Sequence, residues 1–292
     1  LERNSSSLVK TSLPEKSPFG ILSPATDVVE DTSGNWLGNF IYEVPDARVQ
    51  SDNWLVIGGS DRTGVTAVQS PNGMNYRSYF PFEVRASIEY STMGLPHEEV
   101  LAQAKRALDV VTQKAIEFEF WNGDIAKKIT DANDNRYLAH STAIDVTPVP
   151  GTGVKLRYGQ ALLEGALGSA TIGSAGVLHA PWAVASVMKL HHGGTDSQKF
   201  LETHIGNKVV AGSGYTERGP GGTDAPAGMA WMYATGPVTV KLGEIQIVPE
   251  KLSQAVDSSI NNIAYYADRP AAVTWSTSNL YAVLIDLTLD YA

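Results

Sequence analysis

The sequence predicts an α+β fold, and three observations carry the prediction. Pro96–Gly123 has the period of one long amphipathic helix. β-Rich runs cluster before it, in residues 36–92, and again from Val238 onward. Between the two lies a compact strand–proline–helix unit at Gly176–Leu190. Such segregated runs of strands, rather than strict βα alternation, are the mark of an α+β arrangement.

Residues 1–35 are rich in Ser, Thr and Pro with no hydrophobic period, so they cannot form a core alone and read as either a disordered tail or an arm that gains order against a neighbour. The opening LERNSSSLVK lacks the apolar stretch of a signal peptide. Phe40–Tyr42 and Trp54–Ile57 are short apolar runs, with turn signals at Gly58–Asp61 and Ser70–Gly73. Phe82–Tyr90 alternates apolar and polar residues as a half-buried strand does. In the long helix, Val100, Leu101, Ala104, Leu108, Val111, Ala115 and Phe118 recur at steps of three and four and predict the buried stripe. Pro96, Glu98 and Glu99 suit the first turn, and Asn122-Gly123 suits the stop. About 25 residues at 1.5 Å each make a rod of roughly 38 Å.

Beyond it, Gln160–Ala170 predicts a second helix and Gly176–Ala180 a short buried strand. Pro181-Trp182 then opens a helix expected to run through Leu190. The glycine-rich stretch 211–229 predicts a mobile connecting loop. The closing strands are expected at Val238–Leu242, Ile245–Val248, Ile263–Ala267, Ala271–Trp275 and Leu280–Leu287.

Composition narrows the function classes. The 292 residues contain no cysteine, which excludes disulfides, thiolate metal sites and cysteine nucleophiles. A net charge of −9 argues against a general nucleic-acid binder, which needs clustered Lys and Arg. The charged fraction, 18%, is below the usual quarter and fits a surface largely covered by partners. No apolar run reaches the roughly 18 residues of a membrane span.

The motifs that carry chemistry fail one by one. Asp131–Asn135 hints at a calcium loop, but Arg136 stands where the sharp turn needs glycine and Thr142 where a bidentate Glu is needed. His191, His192 and His204 lack the spacing of a helical zinc site and read as histidines complementing a helix end. Gly212–Gly228 has neither the Gly-Lys-Ser/Thr ending of a phosphate loop nor the dinucleotide spacing, since position 217 is Glu. Gly151 and Gly153 fail the same spacing at Leu156, and no Gly-x-Ser-x-Gly elbow occurs. The six tryptophans are not interleaved with basic residues, so they read as core and interface anchors rather than base-stacking platforms. No catalytic, cofactor-binding or metal-binding residue is predicted, and no enzyme activity.

Several phrases resemble tailed-bacteriophage major capsid proteins, the icosahedral shell subunits whose fold is shared with encapsulins. They are QKAIEFEFWNGD (Gln113–Asp124), GVLHAPWAVASVMKL (Gly176–Leu190), NKVVAGSGY (Asn207–Tyr215), ATGPVTVKLGEIQIVP (Ala234–Pro249) and the stretch Asn261–Leu287. The resemblance implies an N-terminal arm (1–40), an extended β-hairpin loop (41–90), a peripheral domain with a long spine helix (91–154), an axial α/β domain (155–235) and returning strands (236–292). It also implies self-assembly into pentamers and hexamers of a virion capsid that encloses double-stranded DNA without sequence-specific contacts. Scaffold, portal and decoration proteins are partners of such shells; a membrane is not, and assembly is in the host cytoplasm. Some members link the hairpin covalently to a neighbour through a Lys–Asn bond. Here no lysine lies between Lys16 and Lys105, so the shell is expected to be non-covalent. Leu13, Phe19, Ile21, Leu22, Trp54, Trp121 and Trp182 are the expected assembly contacts. Two other readings stay open: an encapsulin-type nanocompartment shell, and a soluble α/β enzyme.

Overall fold

The computed structural model describes residues 15–33, 36, 40–46, 73–79, 81–91, 97–128, 137–170, 175–195, 198–249, 255–257, 262–276 and 280–290. In chain order, β1 (Asp27–Glu30), β2 (Phe40–Asp46), β3 (Gly73–Tyr79) and β4 (Phe82–Ser91) precede α1 (His97–Asn122). Then follow β5 (Ile144–Asp145), α2 (Leu156–Ala170), β6 (Val177–Pro181), α3 (Trp182–Ala185), β7 (His191–Thr195), β8 (Gln198–Glu202) and β9 (Lys208–Gly212). The chain ends with β10 (Met229–Thr235), β11 (Val238–Leu242), β12 (Gln246–Val248), β13 (Val256–Asp257), β14 (Asn262–Trp275) and β15 (Tyr281–Asp286). The Trp54–Ile57 run and the Asp131–Asn135 cluster lie outside the described residues.

The first sheet is organised by β14. β4 pairs with it from Asn262 to Ala271, while β13, β12 and β11 pair with successive parts of it and so share the opposite side; β1 adds in parallel outside β11. Two strands were expected here, broken at Arg269-Pro270, and one is found. The Pro270 carbonyl accepts the Gly243 N–H at 2.8 Å, so the ring faces the gap between β11 and β12, where no ladder donor is required.

The second sheet has the order β5-β15-β10-β6-β9-β8-β7 and is covered on both faces. Leu178, Met232, Val283 and Ile285 pack with Leu163 and Leu167 of α2. Val210, Tyr233, Ala282 and Leu284 join the cluster containing Phe120 and Trp121 of α1. α2 begins one turn before the expected Gln160, because Gly159 lets it lie directly on Ile285 of β15. α3 stops at Ala185 instead of continuing to Leu190, and His191 and His192 stand on β7 rather than at a helix end. The chain has to leave the helical path there to reach the sheet edge.

α1 joins the two sheets, packing against β4 and β14 along its length and against the second sheet at its C-terminal end. Its 26 residues span about 39 Å at helical rise. Asn122 ends it, and Gly123 follows at φ 63°, with its N–H donating to the Glu119 carbonyl. The buried row is Val100, Ala104, Leu108, Thr112, Ile116 and Phe120. Val111 and Phe118, expected inside, are 41% and 42% exposed. The row is displaced because the side occupied by Gln113 and Glu117 is also covered, and polar residues there conceal it from a hydrophobic reading. β2 and β3 form a separate two-stranded antiparallel sheet.

Candidate functional site: the arm–spine–loop junction and the exposed apolar surface

Three segments far apart in sequence meet at Glu117. Its side chain is fully buried on α1. Oε1 accepts the Ile21 N–H at 3.0 Å; Oε2 accepts the Gly214 N–H at 2.8 Å and the Ser213 hydroxyl at 3.2 Å. The approach is close because Gly20 and Gly214 have no side chains: a Cβ at Gly20 would collide with Gln113 and Glu117, and one at Gly214 with the Lys114 carbonyl. Burial raises the Glu117 pKa, and these hydrogen bonds oppose the shift. One carboxylate thus fastens the N-terminal segment at Ile21 and the glycine-rich loop at Ser213-Gly214 to α1.

The rest of the loop is held just as firmly. Trp121 Nε1 donates to the Arg218 carbonyl at 2.9 Å, and the Tyr233 hydroxyl donates to the same oxygen at 3.1 Å. The indole lies between the rings of Tyr215 and Tyr233, at 4.6 and 4.8 Å between centroids. The Thr216 hydroxyl donates to Asn122 Oδ1 at 2.7 Å, and Arg218 pairs with Asp124 at 2.8 Å. Glu119 accepts the N–H groups of Ile125 and Ala126, closing the turn after the helix. The expected mobile connection at 211–229 is therefore a fixed one.

His179, fully buried on β6, completes the junction. Tyr215 OH lies 3.0 Å from Nδ1 and Thr235 Oγ1 lies 2.9 Å from Nε2, while Thr235 also bonds to the Gly236 carbonyl. These contacts are satisfied together when Tyr215 donates to Nδ1 and the neutral ring donates from Nε2, an assignment inferred from the network. Burial lowers the His179 pKa to about 3 and raises that of Tyr215. The imidazole is a structural link rather than an acid or base at neutral pH. Among the described residues, no group of three or more His, Asp or Glu could hold a metal ion, and no helix is long and apolar enough to cross a membrane.

The expected assembly residues divide sharply. Ile21 and Trp121 are fully buried in the chain's own core, and Leu22 packs against it. The Phe19 carbonyl accepts the Ala211 N–H at 2.8 Å, with its ring 5.4 Å from that of His192. Ile21 and Trp121, expected as assembly contacts, are thus occupied within the chain's own core, whereas Leu22 is only partly buried. Trp182 differs, being 55% exposed while its Nε1 donates to the Ala211 carbonyl. Leu13 and Trp54 lie outside the described residues. Tyr158 and Ile205, exposed by 53% and 69%, and Val111 and Phe118 on the outward side of α1 are further exposed apolar side chains that the sequence analysis did not single out as surface. Nothing in the hydrophobic period distinguishes such residues from core.

No protein-family model and no curated protein matches the chain. Solved structures do. A chain from the capsid of the empty GTA particle is 13% identical, with a TM-score of 0.51 over 96% of this chain and 100% of that one. A chain from Microbacterium phage Oxtober96 is 11% identical, with a TM-score of 0.56 over 96% and 95%. One from the capsid of Ralstonia phage GP4 is 12% identical, with a TM-score of 0.50 over 97% and 94%. The chain has the fold of these phage and particle capsid chains along nearly its whole length.

Proposed function

We propose that the chain is the repeating, non-enzymatic shell subunit of an icosahedral phage capsid, assembling as pentamers and hexamers around double-stranded DNA in the virion. The observation that carries this reading is the fold likeness to a capsid chain, which spans 96% of one chain and 100% of the other. The exposed Trp182, Tyr158, Ile205 and Phe118 supply apolar contacts on several sides, as a tile needs. In this reading residues 41–90 form the reaching hairpin, 91–154 and 236–292 the peripheral part, and 155–235 the axial part. Every 1,000 Å² of apolar surface covered on assembly contributes roughly 25 kcal/mol gross, before large association costs.

The junction refines the role of the arm. Because Glu117 fastens Ile21 to α1 and the Phe19 carbonyl accepts the Ala211 N–H, the part of the arm free to reach a neighbour on this reading lies before Phe19 and includes Leu13. The lysine-free hairpin leaves the contacts non-covalent. Sedimentation velocity tests the proposal. The purified chain should sediment as particles of many copies that boil to single chains on a denaturing gel, and a chain lacking residues 1–14 should remain as folded small species. A full-length chain that stays monomeric at every concentration contradicts the shell role, and normal particles from the truncated chain contradict the role of the arm.

A further inference from the structure

A cleft of about 720 Å³ opens between α2 and the segment after α3, well away from the Glu117 junction. Its apolar lining is Leu156, Ala161, Val187 and Met188, and its polar lining is Arg157, Gln160, Glu164, Lys189 and His204. The cleft falls within the size range of small-molecule sites, with one apolar wall facing a polar one. The charge is unbalanced. Neither Arg157 nor Lys189 has an ion-pair partner among the described residues. The sole lining carboxylate, Glu164, is already engaged by the Asn207 amide at 3.2 Å. His204 Nδ1 lies 2.7 Å from Nε2 of His191. When His191 donates in that bond, the neutral His204 ring carries its own proton on Nε2, the nitrogen left for a ligand.

We propose that this cleft binds a small organic anion, whose phosphate or carboxylate is held by Arg157, Lys189 and His204 and whose apolar body rests on Leu156, Val187 and Met188. Arg157 supplies the planar fork suited to such oxygens, and Lys189 supplies a second positive charge. In a chain of net charge −9, a cleft lined by Arg157, Lys189 and one carboxylate, Glu164, keeps a net positive charge that draws anions. All of the lining comes from one chain, and Tyr158 and Ile205, assigned above to assembly, flank it.

Isothermal titration of the full chain with inorganic phosphate, and separately with thymidine 5′-monophosphate, tests the proposal. One anion per chain is expected, with the nucleotide tighter than phosphate because only it covers the apolar wall. Arg157→Gln with Lys189→Gln should weaken both by about tenfold or more, and His204→Gln by less. Lys189→Gln alone serves as a second variant with minimal risk to folding, since this side chain is exposed and makes no ion pair among the described residues. Unchanged phosphate affinity in these variants, or no binding of either anion at millimolar concentration, overturns the site. A nucleotide no tighter than phosphate overturns the organic part of the proposal.

Discussion

The two ends of α1 are built on different physics. Its N-terminal half lies on the first sheet through Val100, Ala104 and Leu108, an apolar row with charged residues turned outward. Its C-terminal end buries Glu117, Glu119 and Asn122 beside Phe120 and Trp121, and each of those polar side chains bonds to another segment. The first kind of contact is mostly non-directional, with His97 Nδ1 3.3 Å from the Tyr265 hydroxyl as its polar tie. The second fixes position, because displacing a buried carboxylate from its donors leaves an uncompensated charge. The helix is thus packed on one sheet mainly through apolar side chains and keyed at the other end by polar bonds to the N-terminal segment and the glycine-rich loop.

Trp121→Ala should separate the two ends most strongly. It removes the indole between Tyr215 and Tyr233 and the bond to Arg218, and should cost about 3–5 kcal/mol in urea unfolding. Amide exchange should rise across 213–219 while remaining slow in β4 and β14; equal loosening of both ends would break the comparison. Glu117→Gln comes next, at about 1–3 kcal/mol, since an amide nitrogen would face the donors of Gly214 or Ile21. Exchange at those two N–H groups should increase first.

His179 gives the comparison a pH dependence. Its folded pKa of about 3 lies below the ordinary 6.5, so the unfolded chain takes up a proton that the folded one refuses. The stability it contributes is complete above about 6.5 and is lost as pH falls from there toward about 3, up to tenfold in the folding equilibrium per pH unit. Glu117, with its pKa raised, titrates with the opposite sign. Unfolding midpoints of the parent and His179→Gln should converge on acidification, and parallel curves would contradict the role given to the imidazole. Phe118→Ser should have the smallest effect on folding, within about 1 kcal/mol, because the ring is already 42% exposed. Its effect should be on particle yield instead, and unchanged yield would remove this side of the spine from the assembly surface.

The same contrast explains what could be read from the chain. α1 was legible to within a residue at each end, and β11 was expected at Val238–Leu242 as found, because local periodicity and turn chemistry decide them. β10 was not anticipated: Met229–Thr235 is buried almost throughout between α1 and α2, so no polar face alternates with an apolar one. The junction was least legible of all. Glu117 reads as a surface charge until Ile21 and Gly214 are brought to it, and Gly214 reads as flexibility although its bare backbone permits close contact. Ile21 looked like an arm residue awaiting a neighbour because its partners are about a hundred positions away in sequence.

Electron cryomicroscopy of the purified, undissociated material tests the central claim most directly. The account predicts closed icosahedral shells in which residues 155–235 surround the five-fold and six-fold centres and residues 1–14 lie on an adjacent subunit. Dispersed single globules, with residues 1–14 folded onto their own body, would contradict it.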